Sequence, residues 1–249
     1  FIMTKNKVVM VTGGSLRIGK QICLDLADNG YDIIIHYRNS KKEAQSLKDT
    51  ILSKGVRCET IRCDLSNYKQ VNNLMAKAQK IFGSLYALIN NASVFENDYA
   101  SSFTKKQWEK HMSTNLYAPL KLSQDFYHLA SKKIENHIIN ILDQSVQNPD
   151  INFFSYSISK LGLHGATKIL AKEFSPRTRV NSVAPGPTLK NIHQSDNHFN
   201  LKKKKTLLRI GSPPAEISGT VKFILQSKSL TGQLIIVDGG EHLSWIIMY

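Results

Sequence analysis

The chain has 249 residues, a formal net charge of +14 and three cysteines. That length fills one α/β domain, and no run approaches the ~18–20 apolar residues that a membrane-spanning helix needs. Cys23, Cys58 and Cys63 are odd in number and lack both CxxC and Cys/His metal spacing, which speaks against a disulfide framework or a metal centre.

Phe1-Ile2-Met3-Thr4-Lys5 has no long apolar core or cleavage site and does not read as a signal peptide, so a cytoplasmic protein with reduced thiols is expected. Short β-branched runs then alternate with longer helical segments. Lys7 to Thr12 predicts a first strand, followed by a glycine turn and a helix from Ile18 to Asn29, ended by Gly30. A strand follows over Asp32 to His36, then a helix from Lys41 to Lys54 closed by Gly55. Arg57 to Arg62 predicts the third strand, Tyr68 to Phe82 a helix closed by Gly83, and Tyr86 to Ile89 the fourth strand. One long helix is expected from Thr104 to Lys133, a strand from His137 to Leu142, a helix from Tyr156 to Glu173 and a strand from Arg179 to Val183. Pro213-Pro214 opens a helix to Gln226, and Leu234 to Val237 is the last strand. Strict β/α alternation argues for one domain over 1–249: a doubly wound parallel sheet of seven strands, helices on both faces, in the order 3-2-1-4-5-6 with the seventh at the edge. Ala184 to Gly211 is the least regular stretch, following the sixth strand at the carboxyl edge.

The lysines are spread along the chain. Lys202-Lys203-Lys204-Lys205, between Leu201 and Leu207, reads as one solvated helix turn, or as a patch that steers an anionic substrate tail. Without zinc-finger spacing or aromatic-basic interleaving, neither nucleic acid nor membrane is an expected partner.

Three motifs carry chemistry. Thr12-Gly13-Gly14-Ser15-Leu16-Arg17-Ile18-Gly19 joins a strand to a helix start, where glycines admit a pyrophosphate and the helix end supplies N–H groups. Arg17 adds a permanent cation there. After the second strand, His36-Tyr37-Arg38-Asn39-Ser40 offers no acid for ribose hydroxyls, and Arg38 with Ser40 suits the 2′-phosphate of NADP, so NADPH is the expected cofactor. Asp64-Leu65 follows the third strand, where Asp64 could meet the adenine amino group or, with Ser66, cap a helix. In the third motif, Tyr156 and Lys160 lie four apart on one helix face. The ammonium is expected to lower the phenol from its ordinary ~10, so that the Tyr trades a proton near neutral pH. Thirteen places before Tyr156 stands Asp143.

With Thr12-Gly13…Arg17-Ile18-Gly19, Asp64, Asn90-Asn91-Ala92, Asn115, Tyr156…Lys160, Pro185-Gly186 and Asp238-Gly239-Gly240 in order, the chain resembles the short-chain dehydrogenase/reductase family over nearly its full length. The resemblance implies a Rossmann fold. It also implies that Asn115 holds a helix bulge and a water linked to Lys160, that Asn91 and Ala92 lie beside the cofactor, and that residues 187–211 form a substrate lid. Three departures narrow it: Arg17 stands for Gly, Asp143 for the usual Ser, and Ser93-Val94-Phe95 follows Asn-Asn-Ala. These resemble the pteridine reductase branch, which includes bacterial dihydromonapterin and dihydrofolate reductases. There the Arg faces cofactor phosphates and pterin, the Phe sandwiches the pterin against the nicotinamide, and the Asp joins the Tyr in proton delivery.

The resemblance thus implies a catalytic set of Tyr156, Lys160, Asp143 and Asn115. It implies a cofactor set of Gly13, Ser15, Arg17, Ile18, Gly19, Tyr37, Arg38, Asn39, Ser40, Asp64, Leu65, Asn91, Ala92, Ser93, Lys160, Pro185 and Gly186. Substrate contacts fall to Arg17, Ser93, Phe95, Asp143 and Tyr156. The implied activity is NADPH-dependent reduction of a pterin, dihydropterin or dihydrofolate. The alternatives are a carbonyl reductase, such as a 3-oxoacyl carrier protein reductase, and a non-catalytic NADP(H)-binding sensor or scaffold. The family is usually tetrameric through its two long helices, so a homotetramer is expected, with apolar Trp245-Ile246-Ile247-Met248-Tyr249 suited to such an interface.

Overall fold

Val8, Val9, Met10 and Val11 are all apolar and all buried, which a strand allows only when both its faces are covered. In the computed structural model, which describes residues 7–132, 135–190 and 196–244, this strand, β1 (Val8–Val11), belongs to a parallel sheet of seven strands. The others are β2 (Asp32–Tyr37), β3 (Cys58–Arg62), β4 (Ala87–Asn90), β5 (Asn136–Ile141), β6 (Thr178–Pro185) and β7 (Leu234–Val237). Their order, β3-β2-β1-β4-β5-β6-β7, is the doubly wound arrangement expected from the sequence. The winding reverses between β1 and β4, which opens a crevice at the carboxyl ends of the strands. The expectations for residues 1–5, for 245–249 and for 191–195 of the lid fall outside the described residues.

Eight helices accompany the strands among the described residues: α1 (Arg17–Asp28), α2 (Lys41–Leu52), α3 (Tyr68–Phe82), α4 (Lys105–His111), α5 (Ala118–Leu129), α6 (Phe154–Phe174), α7 (Asp196–Lys204) and α8 (Pro214–Gln226). Strand side chains alternate between two cores. Val9, Val11, Ile33, Ile35 and Ile89 pack with Ile22 and Leu26 of α1, Leu47 and Ile51 of α2, and Ile217 and Val221 of α8. Val8, Met10, Ile34 and Leu88 pack with Leu74 of α3, Leu122 and Phe126 of α5, and Phe174 of α6. Each large aliphatic side chain so buried contributes roughly 1.5–3 kcal/mol. Cys23 and Cys58 lie in the first core and Cys63 in the second, all free and buried. Among the described residues no helix is long and apolar enough to cross a membrane.

Two expectations are corrected. The single helix over 104–133 is two helices joined by a π-helical turn, Met112–Tyr117, which is the bulge implied at Asn115, and the second helix ends early, at Leu129. Ala130 turns extended, and Asn136 Nδ2 donates to Ser131 O at 2.8 Å, which draws the chain into β5. Helix α3 is capped by Asn67, whose side chain accepts from Gln70 N at 3.1 Å, rather than by Asp64 with Ser66. Asp64 instead makes a tight turn, accepting from Ser66 N at 2.9 Å and from Ser66 Oγ at 2.7 Å.

Candidate active site

The crevice is a cleft of about 670 Å³ that runs along the carboxyl edge of the sheet. Its floor is built by side chains that lock neighbouring strand ends together. Thr12 Oγ1, just past β1, accepts from the N–H groups of Asn91 and Ala92 at 2.9 and 3.0 Å. In return Asn91 Nδ2 donates to Thr12 O at 2.8 Å and Gly13 O at 3.1 Å. Gly13 sits at φ +60°, and its N–H donates to His36 Nδ1 at 3.0 Å. With Nδ1 an acceptor, Nε2 carries the proton and bonds to Cys63 O at 3.1 Å. Burial pushes His36 down to about 4, so the ring is a neutral tie across the ends of β1, β2 and β3.

The glycine positions of the turn leave no room for a side chain. A Cβ on Gly19 would lie 2.2 Å from Gly13 O and 2.6 Å from Asn91 Nδ2. Ser15 Oγ and Ser40 Oγ lie 2.7 Å apart, bringing the glycine turn against the end of β2 beside Arg38 and Asn39. Arg17, at φ +54°, takes a conformation that costs a side-chain-bearing residue roughly 1–2 kcal/mol. Its guanidinium donates to Leu189 O at 3.0 Å and Lys190 O at 2.9 Å, joining the turn to the start of the 187–211 segment.

At the other end, Tyr156 is buried on α6 and its hydroxyl donates to Asp143 Oδ2 at 2.9 Å. Asp143 is held by Ser145 N, which donates to Oδ1 at 2.8 Å. Lys160 Nζ donates to Ile141 O at 2.9 Å. The expected lowering of Tyr156 by Lys160 is corrected: burial and then the Asp143 carboxylate push the phenol well above its ordinary value. A carboxylate bonded to the hydroxyl favours the protonated phenol, while the ammonium sits 5.8 Å from the ring centroid and turns to a carbonyl. Burial pulls Lys160 down to about 8, against the pull of Asp143. Phe95 is 40 % exposed at the cleft wall, its ring stacked on Phe153 (centroids 4.2 Å, 19°) and edge-on to Tyr156 (4.6 Å, 76°).

Every residue expected to bind cofactor or substrate lines this cleft. Asn115 does not; it stands behind, on the π-helical turn. Its Oδ1 accepts from Val94 N at 2.8 Å and Ser93 Oγ at 3.3 Å, and its Nδ2 donates to Val94 O at 2.9 Å and Ser159 Oγ at 3.2 Å. Gly186 closes the far side: its N–H donates to Val237 O at 3.0 Å, and a Cβ there would lie 2.6 Å from Asp238 Cβ. The cleft also draws on His36, Thr114, Gln144, Phe199 and Glu241, which the motifs did not assign. His36 was read only within the His36-Tyr37-Arg38-Asn39-Ser40 segment and Phe199 only within the 187–211 segment; Thr114, Gln144 and Glu241 left no trace.

A family model described as short chain dehydrogenase matches residues 7–200. The 3-oxoacyl-[acyl-carrier-protein] reductase FabG of Staphylococcus epidermidis is 30% identical over 246 residues, covering 96% of this chain and 100% of the relative. The enzyme of the same name from Staphylococcus aureus is 30% identical over 249 residues, covering 97% and 100%. Among solved structures, FolM alternative dihydrofolate reductase 1 from Brucella suis in complex with NADP is 35% identical, covers 98% of each chain and superposes with a TM-score of 0.94. The protein of that name from Brucella canis, complexed with NADP, is 35% identical with a TM-score of 0.92, covering 98% of this chain and 97% of its own. Sheet order, glycine turn and the Tyr156/Lys160 helix agree with that match, and the chain belongs to the short-chain dehydrogenase family.

Proposed function

We propose that the protein is an NADPH-dependent reductase of a pterin, dihydropterin or dihydrofolate. The observation that carries this reading is the Tyr156 hydroxyl bonded to the Asp143 carboxylate at 2.9 Å on the cleft wall. A ketone reductase calls for a neutral hydroxyl to hold the carbonyl oxygen, and a carboxylate cannot serve in that way. A flat heterocycle instead needs a proton delivered to a ring nitrogen and an aromatic face to lie against.

The residues present fit NADPH. Gly13 and Gly19 keep the turn open to a pyrophosphate, and Arg38, Ser15 and Ser40 offer donors at the end of β2, where no carboxylate stands. The Brucella relatives crystallised with NADP support the same cofactor. When bound, its reduced nicotinamide supplies the hydride. Tyr156, kept protonated by burial and by Asp143, donates the proton at neutral pH. Asp143, the acceptor of that hydroxyl, would take a proton from solvent and pass it to the phenolate left behind. Phe95 offers its exposed ring to the heterocycle, and Asn115 fixes Ser93 and Val94 beside it.

The test is NADPH oxidation by purified protein with dihydrobiopterin, dihydromonapterin and dihydrofolate. Turnover of at least one is expected; turnover of none, alongside reduction of a ketone, overturns the proposal. The staphylococcal relatives and the net charge of +14, which suits an acidic carrier, favour a second reading as a 3-oxoacyl carrier protein reductase. Assay with an acyl-carrier β-ketone separates the two.

A further inference from the structure

Helix α6 carries Tyr156 and Lys160, yet its N-cap position is Phe153, which has no side-chain oxygen to accept a backbone N–H. The cap comes from a distant segment. Phe154 N donates to Asp98 O at 3.1 Å, and Ser155 N donates to Asp98 Oδ1 at 3.0 Å. The Ser155 hydroxyl donates to the other oxygen, Asp98 Oδ2. Ser155 Oγ in turn lies 2.6 Å from His111 Nδ1, and His111 Nε2 lies 3.3 Å from Glu96 N. A backbone N–H can only donate, so Nε2 is the acceptor and Nδ1 bears the proton. The bonds therefore run one way, from the Glu96 amide through His111 and Ser155 to the Asp98 carboxylate. All three side chains are buried, and burial holds His111 below its ordinary value, hence neutral.

We propose that Asp98, His111 and Ser155 are positioning residues that fix Phe95 and Tyr156 relative to each other. Glu96, at one end of the chain of bonds, directly follows Phe95; Ser155, near the other, directly precedes Tyr156. Between them the aromatic cluster of Phe95, Phe153 and Tyr156 takes one arrangement. Catalytic groups must be held to within a fraction of an ångström, and a loop cannot supply that by itself. The role of Phe95 rests on the proposed reading of the cleft; the coupling of its loop to α6 does not.

His111→Asn keeps a donor for Ser155 in place of Nδ1–H and removes the acceptor for Glu96. In this variant, hydrogen exchange of the amides of Phe95, Glu96 and Asn97 should quicken, while exchange in the second half of α6 and the melting temperature stay near wild type. KM for the substrate that the wild type turns over should rise by about 10-fold, with kcat within about 3-fold and NADPH affinity within about 2-fold. His111→Gln, which offers an acceptor near the Nε2 position but loses the donor to Ser155, should recover slow exchange at Glu96 and leave the KM raised. Unchanged exchange at 95–97 overturns the proposal whatever the substrate proves to be. So does a uniform loss of kcat, NADPH affinity and melting temperature, which marks a stability role alone. Should His111→Asn fail to fold, Ser155→Ala breaks the same chain one link on and is read by the same two measurements. Absence of pterin turnover by the wild type counts against the proposed function, and the KM comparison then uses the β-ketone.

Discussion

Tyr156 has two titratable neighbours, and the nearer one favours its protonated form: Asp143 accepts a hydrogen bond from its hydroxyl at 2.9 Å while Lys160 is bonded to Ile141 O. Asp143→Ser should lower pterin turnover by about 10²-fold, as loss of a proton-delivering group does, and leave the NADPH dissociation constant unchanged. Phe95→Ala should raise the pterin KM by up to about 10-fold, the equivalent of one aromatic stacking contact, and again spare NADPH. Equal losses for substrate and cofactor would argue against stacking. Arg17 sits at φ +54°, so Arg17→Gly should raise stability by about 1 kcal/mol, read as a higher melting temperature, while weakening substrate binding. Tyr156 and Lys160 were legible from their spacing on one helix face, and Asp143 and Phe95 from the resemblance to the pteridine reductase branch; all four line one cleft. The direction of the Tyr156 shift was not, since spacing along a helix says nothing of which neighbour a flexible ammonium chooses. Asp98, His111 and Ser155 left no signal: their meeting is a product of tertiary packing, with no spacing rule to announce it.

The glycine turn and its helix act as one element. A methyl group on Gly19 would meet Gly13 O at 2.2 Å, so α1 would have to withdraw from the end of β1. Gly19→Ala is therefore expected to abolish measurable cofactor binding, by fluorescence titration, and to destabilise the fold by about 1–3 kcal/mol, as overpacking does. Most elements were legible from alternating apolar patterns closed by Gly30, Gly55 and Gly83, each at positive φ. The π-helical turn left no mark in the ordinary helical composition of Met112–Tyr117 and was legible only through the family resemblance, which implied a bulge at Asn115; its wider winding goes with Asn115 reaching back to Val94. The early stop at Leu129 escaped for a similar reason: the residues that follow are compatible with a helix, and the turn is held by Asn136 from the next strand.

At the scale of the molecule, strand order was legible because parallel strands linked by helices allow few windings. Acid stability was not, because it depends on which histidines the sheet encloses. Burial holds His36 at about 4 and His137 at about 3, the latter pressed down further by Arg179 and Lys7. In the unfolded chain both return to ~6.5. Between those values the unfolded chain binds more protons, so each histidine's contribution is fully present above ~6.5 and is lost as pH falls toward its folded value. By pH 5 the loss is about 2 kcal/mol for each. Urea titrations at pH 7 and pH 5 should register it, and His137→Leu should flatten part of that slope; an unaltered slope would assign the acid sensitivity elsewhere. The three enclosed thiols carry one more consequence. Cys23, Cys58 and Cys63 are shut away on both sides of the sheet, so an alkylating reagent reaches them when the sheet opens. A ligand that binds only the closed form slows that labelling by a factor of one plus its concentration over its dissociation constant. The chain thus carries an intrinsic counter of opening events, one that ranks candidate ligands by mass spectrometry before any turnover is observed.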